Sequence, residues 1–194
     1  QDFNDIRSQF YPSSEWASGY PAATGIGTQH GGILVDFNAV KGGIEIIPLD
    51  NDWQKAAHVY SDEVLISHRT DAEKGTPKFE RGKSLSDHQR EMIYISGTAA
   101  IRGEESIVTG DVLVQTEITL ENIQHLIGLE EGREKLPEHS GKLELLRVYL
   151  KHEEDAKIVK EDMDKLCPDV PIVYLYADVC REELLVEIEG IAYL

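Results

Sequence analysis

The sequence predicts an α+β fold in which one mixed β-sheet is covered on one face by two helices. The first observation behind this prediction is the order of patterns from residue 91 onward, which runs β, α, β, α, β, β. The second is composition, because 41% of the 194 residues are hydrophobic, enough to bury a substantial core.

The first element of this region is residues 91–101 (EMIYISGTAAI), which is rich in β-branched and aromatic residues and is predicted to be a strand. Ser96 and Gly97 interrupt it. The missing side chain of Gly97 lets another backbone or a ligand approach closely, which favours a binding edge. A simple β-bulge explains the interruption equally well.

The second element is predicted to be a helix that starts at Asp111 and ends at Gly128. A carboxylate near the helix start is stabilised by the positive end of the helix dipole, and glycine commonly terminates a helix. The apolar residues of this helix share one face: Leu113, Leu120, Ile123 and Ile127.

Four further elements follow in the order strand, helix, strand, strand. The strand at 142–151 is followed by a helix at 152–167 that carries acidic residues in its first turn. Residues 170–179 and 184–194 are predicted to be the last two strands.

The last strand has two different faces. Successive side chains of a strand point to opposite sides, so Val186 and Ile188 share one face and Glu187 and Glu189 share the other. A solvated face is the commoner interpretation of such a glutamate pair, because glutamate is rarely buried without a partner.

Residues 1–89 are predicted to form an N-terminal extension, and residues 90–194 a domain. The extension begins with a glycine-rich loop and continues with a hairpin in which residues 31–40 and 44–50 pair across a Lys-Gly-Gly turn. Two possible short strands follow at 56–60 and 63–68. Residues 69–90 are polar and predict a long loop.

The charge of the chain excludes some classes of partner. Nineteen Lys and Arg against 36 Asp and Glu give a formal net charge of -17, which repels nucleic acid and anionic membrane surfaces. A small anionic substrate stays possible, because a few cations in one pocket can outweigh the global field. Without a transmembrane or signal segment, the sequence predicts a cytoplasmic protein.

The sequence contains no pattern typical of a metal or organic cofactor. It has no GxGxxG between strand and helix, no P-loop, no HExxH and no GxSxG. Its two cysteines, Cys167 and Cys180, form no CxxC pair, and its seven histidines lack ligand spacing. We therefore expect no metal and no cofactor.

Residues 90–194 resemble the RidA (YjgF) family, whose members also include proteins of the endoribonuclease L-PSP type. The motifs that carry this resemblance are the Ser-Gly after the first core strand, the Gly-Asp and Gln-Thr of the first helix, the Asn-Ile near its end and the closing VEIEGIA. Within that superfamily the chain resembles the chorismatases, also called pteridine-dependent deoxygenases. The segments that carry this closer resemblance are GYPAATGIG, FERG, SGTAAIRGEES and DVCREELLVEIEG.

The resemblance implies an enzyme that protonates the enolpyruvyl group of chorismate and releases pyruvate, leaving a hydroxybenzoate or a dihydroxycyclohexadiene carboxylate. Glu187 matches the acid of that family, and Cys180 matches a pocket residue of its hydroxybenzoate-forming branch. Chorismate carries two carboxylates, which arginine binds bidentately. Arg81 matches the arginine of a Phe-x-Arg segment, and Arg147 lies on a core strand.

Further candidate substrate-binding residues have weaker support: Tyr94, Gly97, Thr98 and Lys151. A surface ion pair is an open alternative for each arginine, and a core position is one for Tyr94. Glu189 is predicted to be structural.

Two other functions remain open. A RidA-like protein could deaminate imines or bind a small carboxylate without catalysis, although Ile172 stands where the deaminases carry a carboxylate-binding arginine. An endoribonuclease role conflicts with the net charge of -17. Chorismatases also carry an additional RidA-like domain before this region. We expect either such an upstream domain in a longer chain or a homotrimer.

Overall fold

The computed structural model describes residues 2–11, 18–29, 31–65, 75–87, 89–128 and 142–194. Its helices are α1 (Asp2–Phe10), α2 (Val112–Ile127) and α3 (Ala156–Leu166), with 3₁₀ turns at Ala57–Val59 and Glu153–Asp155. Its strands are β1 (Glu45–Leu49), β2 (Gly82–Ser86), β3 (Glu91–Thr98), β4 (Ile101–Arg102), β5 (Glu105–Ser106), β6 (Lys142–Leu150), β7 (Ile172–Tyr176) and β8 (Val186–Tyr193).

Six of these strands form one sheet in the order β1-β2-β3-β8-β6-β7, and β4 and β5 form a separate two-stranded ribbon. All neighbours in the large sheet are antiparallel except β6 and β7, which are parallel. The predicted α+β fold with a mixed sheet is therefore confirmed. β8 lies between β3 and β6, so the glutamates of the last strand occupy the middle of the sheet.

The predicted order of the six longer elements from residue 91 onward is also confirmed, and the structure adds two short strands, β4 and β5, between β3 and α2. Asp111 caps α2, because its Oδ1 accepts hydrogen bonds from the Leu113 and Val114 amides at 2.9 and 3.4 Å. Gly128 ends the helix with φ 78°, a conformation that favours glycine. The interruption of the first strand is a register shift between Ile95 and Thr98.

The core lies between the sheet and the two longer helices. Ile123 of α2 and Val159 of α3 are fully buried, as are Val186 and Ile188 of β8. Burial of a side chain of this size stabilises the fold by about 1.5–3 kcal/mol. The helices thereby cover one face of the sheet, and the opposite face carries Glu187 and Glu189.

The predicted N-terminal hairpin is wrong. Residues 31–40 contain no strand, and Ile33 and Phe37 are 93% and 78% exposed. β1 pairs instead with β2, in the register Glu45 opposite Ser86 to Leu49 opposite Gly82. Apolar alternation indicates a strand but does not specify its partner, and the hydrogen-bonding edge of β2 is the partner that β1 uses.

Other predictions before residue 91 are also corrected. Residues 57–59 form a 3₁₀ turn in place of a strand, and residues 62–64 form a turn; residues 66–68 lie outside the described residues. The predicted long loop contains β2, and its residues 69–74 and 88 lie outside the described part. The sequence did not predict α1.

The boundary predicted at residue 89/90 stays a prediction, although β1 and β2 belong to the same sheet as β3. No helix in the described ranges combines the length and apolar character needed to cross a membrane.

Candidate active site

The side chain of Glu187 lies on the face of the sheet away from α2 and α3, yet it is only 8% exposed. The bulge of β3 explains part of this burial. A Cβ added to Gly97 would overlap Glu187 Oε1 and lie 3.1 Å from Glu187 Cδ. Only glycine at position 97 leaves room for the carboxyl group.

A second wall is the glycine-rich segment, residues 19–27 (GYPAATGIG). It crosses the edge of the bulge, where the Gly97 amide donates to Thr24 Oγ1 at 2.9 Å and the Ala23 amide donates to Ser96 Oγ at 3.0 Å. At its far end Gly27 pairs with Asp178 through two backbone hydrogen bonds of 2.9 and 3.1 Å. These bonds hold the segment against both β3 and the loop before β8.

Burial changes the acidity of Glu187. Desolvation, followed by repulsion from Glu189, raises the pKa of Glu187 to about 8, while Arg81 opposes the rise. Within the described residues, no side chain or amide gives this carboxyl a hydrogen bond that would favour its charged form. Glu187 is therefore mostly protonated at neutral pH and can act as a general acid.

Glu189 is held by two partners on β6. Its Oε1 accepts from Arg147 Nη1 at 2.7 Å and from the Tyr149 hydroxyl at 2.8 Å. Register explains the arrangement, because Arg147 lies opposite Glu189 and Tyr149 lies opposite Glu187. Hydrogen bonding to Glu189 raises the pKa of Arg147, which keeps the pair charged. The sequence predicts that Arg147 binds a carboxylate of the substrate, with an ion pair as the open alternative. The structure shows an ion pair between Arg147 and Glu189.

Arg81 is 4% exposed and lies between two aromatic rings. Its guanidinium carbon is 5.5 Å from the centre of the Tyr60 ring and 5.6 Å from that of Phe79. Nη2 donates to the Lys55 carbonyl at 2.6 Å and to the Tyr60 hydroxyl. The Nε donor has no acceptor within the described ranges. Arg81 is thus a positioned cation with a free donor, close enough to Glu187 to lower its pKa.

Cys180 closes the side of the site next to the glycine-rich segment, where its Sγ donates to the Gly25 carbonyl at 2.9 Å. The residue as a whole is exposed. Desolvation of the thiol, with Glu187 and Asp178 nearby, nevertheless raises the pKa of Cys180 to about 11. The thiol is therefore protonated at neutral pH, which fits a wall residue and not a nucleophile.

The remaining predicted residues differ in position. Thr98 is 2% exposed, and its hydroxyl donates to the Ser96 carbonyl at 2.9 Å, so it shapes the bulge. Tyr94 is half-buried on the Glu187 face of the sheet, opposite Ile191. Lys151 donates to the Glu182 carbonyl at 2.6 Å, beside the loop that leads into β8.

Sequence reasoning missed Thr24, Tyr60 and Lys83, which lie next to these groups. Thr24 and Tyr60 gave no periodic signal because both lie outside regular strands. Lys83 falls in the segment predicted as a loop. The alternation of Arg81 and Lys83 was an available signal, but glycine and serine around them conceal the strand.

A cavity of about 370 Å³ lies elsewhere, and none of the predicted site residues lines it. Its lining residues are Asp50, Asn51, Asp52, Gln54, Ala56, His125 and Leu126. The buried amides there are used in the fold, since Asn51 Nδ2 donates to the Asn122 carbonyl at 2.9 Å and Gln54 Nε2 to the Ile101 carbonyl at 3.3 Å. Across the described ranges, no group of three His, Cys, Asp or Glu side chains is placed to hold a metal ion.

Comparison with known proteins identifies proteins with similar sequences. No family model matches the chain. A chorismatase from Streptomyces rapamycinicus is 35% identical over 179 residues, which cover 88% of this chain and 50% of that protein. A 3-hydroxybenzoate synthase from Streptomyces hygroscopicus is 33% identical over 185 residues, covering 89% of this chain and 50% of that protein. The chain spans about half the length of the curated relatives that it matches.

Comparison with solved structures gives the same relationship. A chorismatase crystal structure superposes with a TM-score of 0.66 and 28% identity, covering 89% of this chain and 50% of that one. An endoribonuclease L-PSP-type protein from Entamoeba histolytica superposes with a TM-score of 0.51 and 12% identity, covering 77% and 100% of the two chains, a likeness of fold alone. The chain is therefore homologous to chorismatases over most of its length and has a RidA/YjgF-like fold.

Proposed function

We propose that this protein converts chorismate to pyruvate and a hydroxybenzoate or a dihydroxycyclohexadiene carboxylate. The single observation that carries the proposal is the buried carboxyl of Glu187, whose pKa of about 8 keeps it protonated at neutral pH beside the Arg81 cation. The names of the relatives, chorismatase and 3-hydroxybenzoate synthase, support the substrate.

The proposed chemistry begins with carbon protonation. Glu187 transfers its proton to the terminal methylene of the enol ether, and the adjacent carbon becomes an oxocarbenium ion. The Glu187 carboxylate that remains stabilises this cation through space. Water adds to the oxocarbenium carbon and returns one proton to Glu187, and collapse of the resulting hemiketal breaks the bond to the ring oxygen, which releases pyruvate and leaves the diol. Loss of one water from the diol gives a hydroxybenzoate. Formation of a hydroxybenzoate consumes no net water, whereas formation of the diol consumes one molecule.

Arg81 is the proposed anchor for a carboxylate of the substrate, with its Nε donor still available. Cys180 is proposed to shape the wall of the ring pocket, and Gly97 and Thr98 to shape its floor. Tyr94 and Lys151 stay candidate contacts at the margin. Arg147 is proposed to act on Glu189 and not on the substrate, because Glu189 already accepts its hydrogen bond.

The test is to incubate the full-length protein with chorismate, measure pyruvate with a lactate dehydrogenase couple and identify the aromatic or diene product by chromatography. Pyruvate release with a hydroxybenzoate supports the proposal. Absence of pyruvate at micromolar enzyme over hours contradicts it. The imine deaminase alternative is not favoured, because the relatives at 33–35% identity are chorismatases and a 3-hydroxybenzoate synthase. Turnover of a 2-imino acid without chorismate turnover would reverse this preference.

A second RidA-like unit is proposed to cover the open face of the sheet. On that face Val173 and Leu175 of β7 are 47% and 40% exposed, and they lie opposite Arg147 and Tyr149 of β6. The unit would be either an upstream domain of a longer chain or another copy in a homotrimer. Light scattering on the full-length protein distinguishes the two by molar mass.

A pH prediction follows from the Glu189 carboxylate. The value of kcat/KM for chorismate is expected to fall as the pH rises through about 8, since Glu187 must be protonated to act as the acid. Glu189→Gln removes a negative charge that raises the pKa of Glu187. The alkaline limb of the pH profile should therefore move to lower pH.

Arg147→Gln is the matched variant, for which we expect the alkaline limb to shift in the opposite direction. It leaves the Glu189 charge uncompensated, so the alkaline limb should move to higher pH. Shifts of both variants in the same direction, or no shift in either, would contradict this assignment of Glu189.

A further inference from the structure

Two basic side chains lie close together at the start of β2. Arg81 directly precedes the strand and Lys83 lies within it, two residues on, so both project to the side of the sheet that faces Glu187. Their neighbours on β3 are Ser96, whose amide donates to the Arg81 carbonyl at 3.1 Å, and Tyr94, which lies opposite Lys83. Both cations are buried, with 4% and 6% exposure.

Both side chains keep a donor without a partner in the part of the chain that the structure describes. Among the described residues, neither Lys83 Nζ nor Arg81 Nε has a hydrogen-bond acceptor. Buried donors without a partner are rare in native proteins, and a buried ammonium group without a hydrogen-bonded counter-ion is particularly unfavourable. Two such donors, one directly before β2 and one within it, indicate that an anion completes their coordination.

The glycine-rich segment covers the side chain of Lys83 next to the candidate site. A Cβ on Gly19 would lie 3.5 Å from Lys83 Nζ and 2.5 Å from Glu80 Oε1, and the φ of Gly19 is 68°. The backbone therefore passes directly over both groups. The same segment continues to Thr24, which contacts the Gly97 amide beside Glu187.

Glu80 does not explain Lys83. Its Oε1 accepts from the Tyr20 amide at 2.8 Å, and it raises the pKa of Lys83 through space without accepting a hydrogen bond from the ammonium group. Desolvation is the larger effect and lowers the pKa of Lys83. A carboxylate bound at Nζ would offset that desolvation.

We propose that Lys83 is a second carboxylate anchor, which acts with Arg81 to bind the anionic substrate beneath the glycine-rich segment. The identity of that substrate as a dicarboxylate rests on the proposed function. The anchor itself rests on burial and on the two unused donors, and it requires only a carboxylate ligand.

The test compares Lys83→Met with Lys157→Met, a control at an exposed lysine of α3. Loss of one hydrogen bond between charged groups is expected to raise KM for chorismate about 10- to 100-fold in Lys83→Met, with a smaller change in kcat. Lys83→Arg should recover part of the affinity because it restores a cationic donor. The Lys157→Met variant should match the wild type.

Thermal stability separates an anchor from a structural lysine. Removal of an unpartnered buried cation should leave the melting temperature of ligand-free protein unchanged or higher, and should abolish the increase that saturating 3-hydroxybenzoate gives the wild type. A lower melting temperature together with an unchanged KM would overturn the proposal.

The two proposals can fail separately. If chorismate is turned over and Lys83→Met keeps the wild-type KM, the anchor is wrong and the proposed function stands. If no pyruvate is released but calorimetry shows that the wild type binds 3-hydroxybenzoate and Lys83→Met does not, the anchor stands and the proposed function fails. If the wild type binds neither compound, the anchor is overturned as well.

Discussion

Replacement of Glu187 by Gln is expected to lower kcat/KM for chorismate by about 10²- to 10⁴-fold, the range typical of a lost general acid. The amide fills nearly the same volume but has no proton acidic enough to protonate carbon. The measurement is pyruvate release at pH 7 by wild type and variant. Glu117→Gln, at an exposed position of α2, is the control and should keep full activity. Equal rates for Glu187→Gln and wild type would remove Glu187 as the acid.

The same variant should change how stability depends on pH. The pKa of Glu187 is about 8 in the folded protein, above its ordinary value of 4.5, so between these values the folded state keeps a proton that the unfolded state has lost. The free energy of unfolding of the wild type therefore contains a contribution that decreases as the pH rises through this window. The Glu187→Gln variant lacks this contribution. The difference in melting temperature, variant minus wild type, should therefore increase from pH 5 to pH 9.

Replacement of Gly97 by Ala is expected to impair both activity and folding. The new Cβ would overlap Glu187 Oε1 and lie 2.8 Å from Thr24 Cγ2, so the carboxyl and the glycine-rich segment would both have to move. Overpacking of this kind costs about 1–3 kcal/mol of stability. A displacement of the acid by about 1 Å lowers the rate on the order of 10²-fold. Urea denaturation and pyruvate release measure the two effects.

A double-mutant cycle tests whether the effect of Gly97→Ala acts through Glu187. In a Glu187→Ala background most of the overlap disappears, so the alanine at position 97 should destabilise the protein less than it does in the wild type. If the free energy of unfolding falls by the same amount in both backgrounds, the bulge glycine is required by its own backbone and not by the acid.

The sequence predicted the fold well where periodic patterns are long. α2 was recognisable from its cap, its apolar face and its terminal glycine, and β3 from its β-branched residues. β2 was not recognisable, because Gly-Lys-Ser-Leu-Ser has little intrinsic strand preference and forms a strand only through pairing with β1 and β3 on its two sides. The apolar run at residues 31–40 shows the converse, since it has a strand-like composition but pairs with no strand in the described part of the chain.

The candidate site was predictable in part, for physical reasons. Alternation placed Glu187 on the polar face of β8 but gave no indication that this residue would be buried, because burial comes from residues 19–27, which are far away in sequence. The partner of Arg147 depends on the register between β6 and β8, which alternation alone does not define. The catalytic and binding roles of these residues stay predictions until the variants are measured.

The position of β8 determines when the six-stranded sheet can be completed during synthesis. Among the described strands of the sheet β8 is translated last, yet it lies between β3 and β6 and carries Glu187, the proposed acid. The glycine-rich segment covers Glu187 and is held by two hydrogen bonds, Ala23 to Ser96 and Cys180 to Gly25. Their partners are 73 and 155 residues apart in the sequence. A nascent chain that has made only β1 to β7 thus has an incomplete sheet and lacks Glu187. A frameshift or nonsense codon near residue 186 is expected to remove cooperative folding together with the proposed activity.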